Sequence, residues 1–136
     1  MEPSRRDNWV LTPHPGEAAR LLAIITQEIH VDRFTAARKL HEVYGGTVVL
    51  KGAGSIVTDG KISCVLRDGN PGMGSGGMGD TLTGIIAGLI AQGYALEDAA
   101  RIGACVHARA GDRAATAGER GLLASDLMSH IRELVN

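Results

Sequence analysis

Aromatic rings are scarce in this chain: one Trp, one Phe and two Tyr in 136 residues. A core short of rings has to be filled by Ala, Leu, Ile and Val. Cysteine is nearly absent too. Cys64 and Cys105 lie far apart with no metal-ligand spacing, so they read as reduced thiols acting as small buried hydrophobes, in a cytoplasmic setting. Neither sign of charge dominates, with 14 Lys and Arg against 15 Asp and Glu. That balance removes the electrostatic case for nucleic acid or for an anionic membrane surface. No apolar run is long enough to span a bilayer, and the polar start, Met1 to Asn8, carries no signal-peptide apolar region. Repeats and low-complexity segments are also missing, and no linker divides the chain. It reads as one domain or as part of one.

Glycine, by contrast, is abundant, at 19 residues. So many glycines point to loops where backbone comes close to a ligand or to another backbone. The short apolar run Trp9 to Leu11 stops at Thr12-Pro13-His14-Pro15-Gly16, where two prolines and a glycine force a turn. A short helix is expected over Glu17 to Leu22, and a second from an Asp32 cap to about Tyr44. Gly45-Gly46 ends it, and the unbroken apolar Val48-Val49-Leu50 predicts a strand covered on both faces, as in parallel sheets. Ser55 to Thr58 and Ile62 to Leu66 predict two further strands joined at Asp59-Gly60. Three helices are expected in the second half: Asp80 to Ala91, Leu96 to Ala117 and Ser125 to Val135. Strands followed by helices, with apolar residues on both sides of a strand, make this an α/β sandwich.

The richest segment runs from Asn70 to Gly84. Five glycines lie between Gly72 and Gly79, and Leu82, Ile85, Ile86 and Leu89 then recur at helical spacing. A loop without side chains that opens a helix exposes backbone N–H groups, and the helix dipole adds positive potential. Gly76, Gly77, Met78 and Gly79 therefore form a candidate anion hole, suited to phosphate or to a phosphoryl group in transfer. Asp80 stands at its mouth. An acid there repels phosphate, so it makes chemical sense as the base for an attacking hydroxyl; the competing reading is a plain helix cap. No Gly-Lys-Ser of a P-loop is present, and no dinucleotide fingerprint follows the first strand. His14, locked between two prolines, and Lys51, at a strand end beside small residues, can each face a ligand. They can equally be a turn histidine and a strand-end charge. His107, within a small-residue helix, reads as a packed or surface histidine. Ala99, Ala100, Gly103, Ala104, Ala108 and Ala110 read as close helix packing.

Gly76-Gly77-Met78-Gly79-Asp80-Thr81-Leu82-Thr83-Gly84 resembles the GxGDxxxG signature of the ribokinase superfamily. The order Thr12-Pro13-His14-Pro15-Gly16-Glu17, Val49-Leu50-Lys51-Gly52-Ala53-Gly54 and Gly76 to Asp80, continuing through Gly121 to Leu127, resembles the NAD(P)H-hydrate dehydratases more narrowly. The resemblance implies a ribokinase-like three-layer α/β/α sandwich, of which this chain is the carboxyl-terminal portion. It implies that Asp80 is the base and also contacts the hydrate, that His14 helps hold the hydrate, and that Lys51, Gly52, Ala53, Gly54, Ser55 and Gly79 contact the nucleotide. The implied cofactors are ADP or ATP with Mg²⁺, and the substrate is hydrated NADH or NADPH. In that family the hydroxyl at C6 of the reduced nicotinamide ring is phosphorylated and phosphate then leaves. A homo-oligomer and a fused amino-terminal epimerase domain are further implications. Pro71 and Gly74 depart from the small residues usual at those places, and the family's domain is about twice this length. Within the same fold, a kinase for a small alcohol or a non-catalytic nucleotide-binding fragment are the other readings.

Overall fold

The computed structural model describes residues 4–136, in the element order strand, three helices, three strands and three helices. The elements are β1 (Val10–Leu11), α1 (Pro15–Leu22), α2 (Thr26–Val31), α3 (Arg33–Tyr44), β2 (Thr47–Leu50), β3 (Ile56–Thr58), β4 (Ser63–Val65), α4 (Met78–Ala91), α5 (Leu96–Ala114) and α6 (Leu127–Leu134). Short 3₁₀ turns cover Pro71–Gly74, Ala115–Ala117 and Ala124–Asp126.

β2 organises the sheet, whose strand order is β1-β2-β3-β4. β1 runs parallel to it with Leu11 beside Val48. β3 runs antiparallel to it with Leu50 beside Ile56, and β4 antiparallel to β3. All four residues of β2 are buried. Alternation along the strand splits them: Val48 and Leu50 pack with Ala18, Ile29, Ala37 and Leu40 of α1–α3, while Val49 packs with Leu82, Ile86, Ala99 and Ala104 of α4 and α5. Helices on both faces give the expected three layers. The double-sided burial predicted for Val48 to Leu50 is therefore present, although only one of its two neighbours is parallel.

The core is built as the lack of rings requires. Met78 apart, its buried hydrophobic residues are Ala, Ile, Leu and Val. α5 contributes small residues to it: Ala99, Ala100, Gly103, Ala104, Ala108 and Ala110 are buried. A Cβ on Gly103 would lie 2.7 Å from Ile86 Cγ1 of α4, so the close helix approach read from the sequence is real. Asp32 caps α3 by accepting from Thr35 N–H at 3.0 Å.

Several boundaries differ from expectation. α1 begins at Pro15, because proline suits the first helical position. α2 was not foreseen; its six residues are too few to show a period. The β3–β4 connection is longer than a two-residue turn. Thr58 pairs with Ser63, and Asp59 Oδ1 accepts from Lys61 and Ile62 N–H at 2.9 and 2.8 Å. α4 starts at Met78, two residues before Asp80. α5 and α6 are each shortened where a 3₁₀ turn takes one end. Cys64 and Cys105 are free and half-buried, not fully buried.

Two glycines make opposite predictions. Gly46 sits at φ +64°, and a Cβ there would overlap Trp9's backbone oxygen and indole. Gly88 lies inside α4 with nothing within 4 Å of a Cβ. Gly46→Ala is expected to destabilise by about 2–3 kcal/mol, and Gly88→Ala to stabilise by about 0.5–1 kcal/mol. Denaturant unfolding of the two variants checks both signs.

Candidate functional site

The parallel pair β1 and β2 ends on one edge of the sheet, and the three motifs meet there. Crevices at the carboxyl ends of strands are where open α/β sheets bind ligands. Lys51 follows β2 directly, and its N–H donates to Pro13 O at 2.9 Å, which ties the Thr12–Gly16 turn to the strand end. Thr12 Oγ1 lies 3.2 Å from Thr83 Oγ1 on α4, bringing the third motif alongside.

His14 is neither a free ligand nor an idle turn residue. It is the N-cap of α1: its Nδ1 accepts from Gly16 N–H at 3.1 Å and Glu17 N–H at 3.2 Å. Glu17 Oε2 in return accepts from His14 N–H at 2.7 Å, completing a capping box. With Nδ1 accepting, the ring proton belongs on Nε2, which faces Glu17 Oε1 at 3.5 Å. The imidazole is thus held rigidly and remains half-exposed on the side of Lys51. Glu17 is the junction, since its other oxygen lies 3.8 Å from Lys51 Nζ. Its pKa is lowered, chiefly by the hydrogen bond from His14 N–H, against some desolvation, with help from Lys51, His14 and Arg20. Glu17 stands at the end of the Thr12 to Glu17 motif, and an acidic residue three places after an N-cap is the sequence signal of its role.

Lys51 Nζ reaches the first turn of α4. A Cβ on Gly79 would stand 2.8 Å from it, so glycine at 79 is what lets the ammonium lie against the backbone. After Lys51 the loop of Gly52, Ala53, Gly54 and Ser55 turns at the surface. Ser55 Oγ donates to Gly52 O at 3.3 Å. Among the described residues no protein acceptor takes the N–H groups of Gly52 to Ser55. Arg33, at the start of α3, lies beneath this loop and donates to Ala53 O at 2.6 Å. Sequence reading passed over it, because its partners are backbone carbonyls that no side-chain pattern reveals.

The glycine loop is pinned at both ends. Asp112 of α5 accepts from Gly69 N–H and from Asn70 Nδ2, each at 2.9 Å. Ser75 Oγ donates to Leu122 O at 2.8 Å, joining the loop to the Gly121–Leu127 segment. Gly77, at φ +84°, is the N-cap of α4 and supplies no side chain. The first helical bond of α4 is Thr81 N–H to Gly77 O at 3.0 Å. Among the described residues, the N–H groups of Gly76, Gly77, Met78, Gly79 and Asp80 have no acceptor in the protein. These are the orphan donors of a helix start, at the positive end of a helix 14 residues long.

Asp80 occupies the third position of α4, not the cap, and is exposed. Its carboxylate neither reaches back to Gly77 N–H nor pairs with a cation among the described residues. The capping alternative is therefore not what the geometry shows. His107 proves to be packed, not superficial. Burial lowers its pKa first; the facing Met78 carbonyl opposes this and Lys51 adds to it. No hydrogen bond of full geometry satisfies its buried Nε2. No group of three or more His, Cys, Asp or Glu among the described residues is placed to hold a metal ion, and none of the described helices is long and apolar enough to cross a membrane.

The Glu17 cap gives a pH prediction. A carboxylate whose folded pKa is depressed contributes stability above its unfolded value, near 4.5, and loses it as pH falls through the folded value. Glu17→Ala is expected to cost about 0.5–1 kcal/mol at neutral pH. The difference from wild type should vanish in acid, where both lack the charge. Urea unfolding across pH 2–7 measures it.

Known proteins share this chain's sequence and fold. The family model described as NAD(P)H-hydrate dehydratase matches residues 2–133. A bifunctional NAD(P)H-hydrate repair enzyme of Vibrio cholerae is 56% identical over 135 residues, covering 98% of this chain and 27% of the relative. An ADP-dependent (S)-NAD(P)H-hydrate dehydratase of Neisseria meningitidis is 40% identical, covering 95% of this chain and 45% of the relative. An ADP/ATP-dependent NAD(P)H-hydrate dehydratase of Bacillus subtilis, crystallised with ATP and Mg²⁺, superposes with a TM-score of 0.87 at 24% identity, over 97% of this chain and 52% of that one. A ribokinase-like protein of Enterococcus faecalis superposes at 0.77 with 28% identity. The chain thus spans between a quarter and about half the length of these proteins, its three layers are a portion of the ribokinase-like fold, and it belongs to the NAD(P)H-hydrate dehydratase family.

Proposed function

We propose that this chain carries the phosphoryl-transfer half of an ADP- or ATP-dependent NAD(P)H-hydrate dehydratase, as the carboxyl-terminal part of a ribokinase-like domain. The observation that carries the reading is Asp80: an exposed carboxylate committed to no cap or cation, on a helix start whose N–H groups are unpaired. An acid among anion-binding donors has a use when it removes a proton from the nucleophile.

In this reading the nucleotide's phosphates lie across the Lys51–Ser55 loop and the start of α4. Lys51 and the N–H groups of Gly76 to Gly79 hold the charge of the transferring phosphoryl group. Asp80 contacts the hydrate and takes the proton of its C6 hydroxyl. The oxygen bonds to phosphorus as the bond to the departing nucleotide breaks. Phosphate then leaves the ring with its oxygen, and loss of a ring proton restores the reduced nicotinamide. His14, rigid in its cap, presents its Nε2 edge to the hydrate. Mg²⁺ would arrive on the nucleotide's phosphates, which suits an ion that commonly takes few protein ligands. It would neutralise phosphate charge there.

Relatives named bifunctional are much longer than this chain, so a second fused activity, such as an epimerase, is part of the proposal. A homo-oligomer in the cytoplasm is the expected state. The test is turnover of hydrated NADH or NADPH with ADP or ATP by the intact protein. Asp80→Asn is expected to lower kcat about 10²–10⁴-fold while nucleotide affinity stays the same or rises, since a negative charge near phosphate is gone. Unchanged turnover would remove Asp80 from the chemistry.

A further inference from the structure

Arg33 is placed where ordinary structural reasons for an arginine are missing. It is the first residue of α3, and the start of a helix repels cations. No carboxylate of the described residues lies within ion-pair distance of its guanidinium. Burial holds its pKa below the ordinary value, and no acidic neighbour raises it again. What it touches is the loop after β2. Nη1 donates to Ala53 O at 2.6 Å, and Nη2 to Leu50 O at 3.3 Å and Lys51 O at 3.4 Å. Gly52 closes over it: a Cβ there would stand 2.9 Å from Nη2, and φ is +148°. Its Nε is buried without a partner.

Three carbonyls, of Leu50 at the end of β2 and of Lys51 and Ala53 in the loop, turn inward onto a single cation. Within one trans peptide the carbonyl and the N–H point oppositely, so drawing in the oxygens of Lys51 and Ala53 turns the N–H groups of Gly52 and Gly54 away from Arg33. The guanidinium charge meanwhile stays unneutralised directly under the loop. Charged donors make the stronger hydrogen bonds, and a partly desolvated charge is weakly screened.

We propose that Arg33 is the positioning residue of the Lys51–Ser55 loop and the charge that tunes it to phosphate, so that it sets affinity for the phosphorylated part of the nucleotide and not for the nucleoside. This rests on the nucleotide role proposed for the loop. It predicts discrimination by phosphate, which a merely structural arginine would not give.

The experiment is calorimetric titration of the intact protein with ADP and with adenosine, for wild type, Arg33→Gln and Arg33→Lys, with steady-state kinetics alongside. Arg33→Gln is expected to weaken ADP binding about tenfold or more, and to raise KM for ADP far more than it lowers kcat. Adenosine affinity should stay within about twofold. Arg33→Lys, keeping the charge and a donor for Ala53 O, should recover ADP affinity to within about threefold of wild type. Equal loss for ADP and adenosine, or no loss for either, would overturn the proposal. Should Arg33→Gln not fold, Arg33→Lys decides: a tenfold loss of ADP affinity at an unchanged melting temperature overturns it. Failure of the wild-type protein to bind ADP would overturn the nucleotide reading of the loop itself, an outcome distinct from the others.

Discussion

β2 is packed from both sides, and that fixes where the polar groups at its end can lie. Val48 and Leu50 are held by α1–α3 and Val49 by α4 and α5, all fully buried. A strand clamped in this way cannot slide or rotate without exposing apolar area, at about 25 cal/mol per Å². Its carboxyl end is therefore a rigid mount. Lys51 is launched from it toward Gly79, Pro13 is tied to it through Lys51 N–H, and the Gly52–Ser55 loop turns off it over Arg33. The helices that clamp the strand are those that carry the site. α1 brings His14 and Glu17, α3 brings Arg33, and α4 brings Asp80 and the unpaired N–H groups. Packing and chemistry share elements, so the core positions the backbone from which these groups extend.

The balance of charge at this edge is informative. Positive potential comes from the start of α4, from Lys51 and from Arg33. Negative charge comes from Glu17 and Asp80. Glu17 is spoken for: it caps α1 and approaches Lys51 at 3.8 Å, which keeps that ammonium extended toward α4. Asp80 has no such duty. Of the two acids, the one left free is the one beside the unpaired donors, and that asymmetry is what the proposed role of Asp80 rests on.

The three-layer arrangement was legible because it rests on patterns that local sequence carries. Val48 to Leu50 announces a doubly buried strand, Asp32 a cap, and Leu82 to Leu89 a helix face. The glycine loop that opens α4 was legible for the same reason, as glycines followed at once by helical spacing. What escaped notice depends on contacts distant in the chain. Asp80 was weighed as a cap because its distance from Gly77 follows from where α4 starts, and a glycine N-cap gives no side-chain signal. The cap role of His14 was missed because imidazole seldom stands in for Ser or Asp at that position. Arg33 was invisible because its partners, 17 to 20 residues away, are backbone oxygens. β2 has one parallel and one antiparallel neighbour because strand direction follows connection length, and the five residues between β2 and β3 suit an antiparallel return.

Gly74 and Gly76 carry the argument one step further. Most glycines of this chain answer to the protein itself: Gly46 to Trp9, Gly103 to Ile86, Gly79 to Lys51. Gly74 and Gly76 do not. Neither has φ in the left-handed region, and a Cβ on either would meet nothing within 4 Å. Glycine in such a place gains the fold nothing and costs chain entropy, of order 0.5–1 kcal/mol against alanine. Asp112 holds Gly69 and Asn70 and Leu122 O holds Ser75, so the stretch is kept still, while Gly74 and Gly76 on either side of Ser75 leave its surface bare there. Rigidity without side chains is wasteful for packing but suits a surface against which phosphate oxygens must come within hydrogen-bonding distance of backbone N–H groups. The empty space above these two glycines thus belongs, in the reading proposed here, to the ligand, and it lies beside the free carboxylate of Asp80.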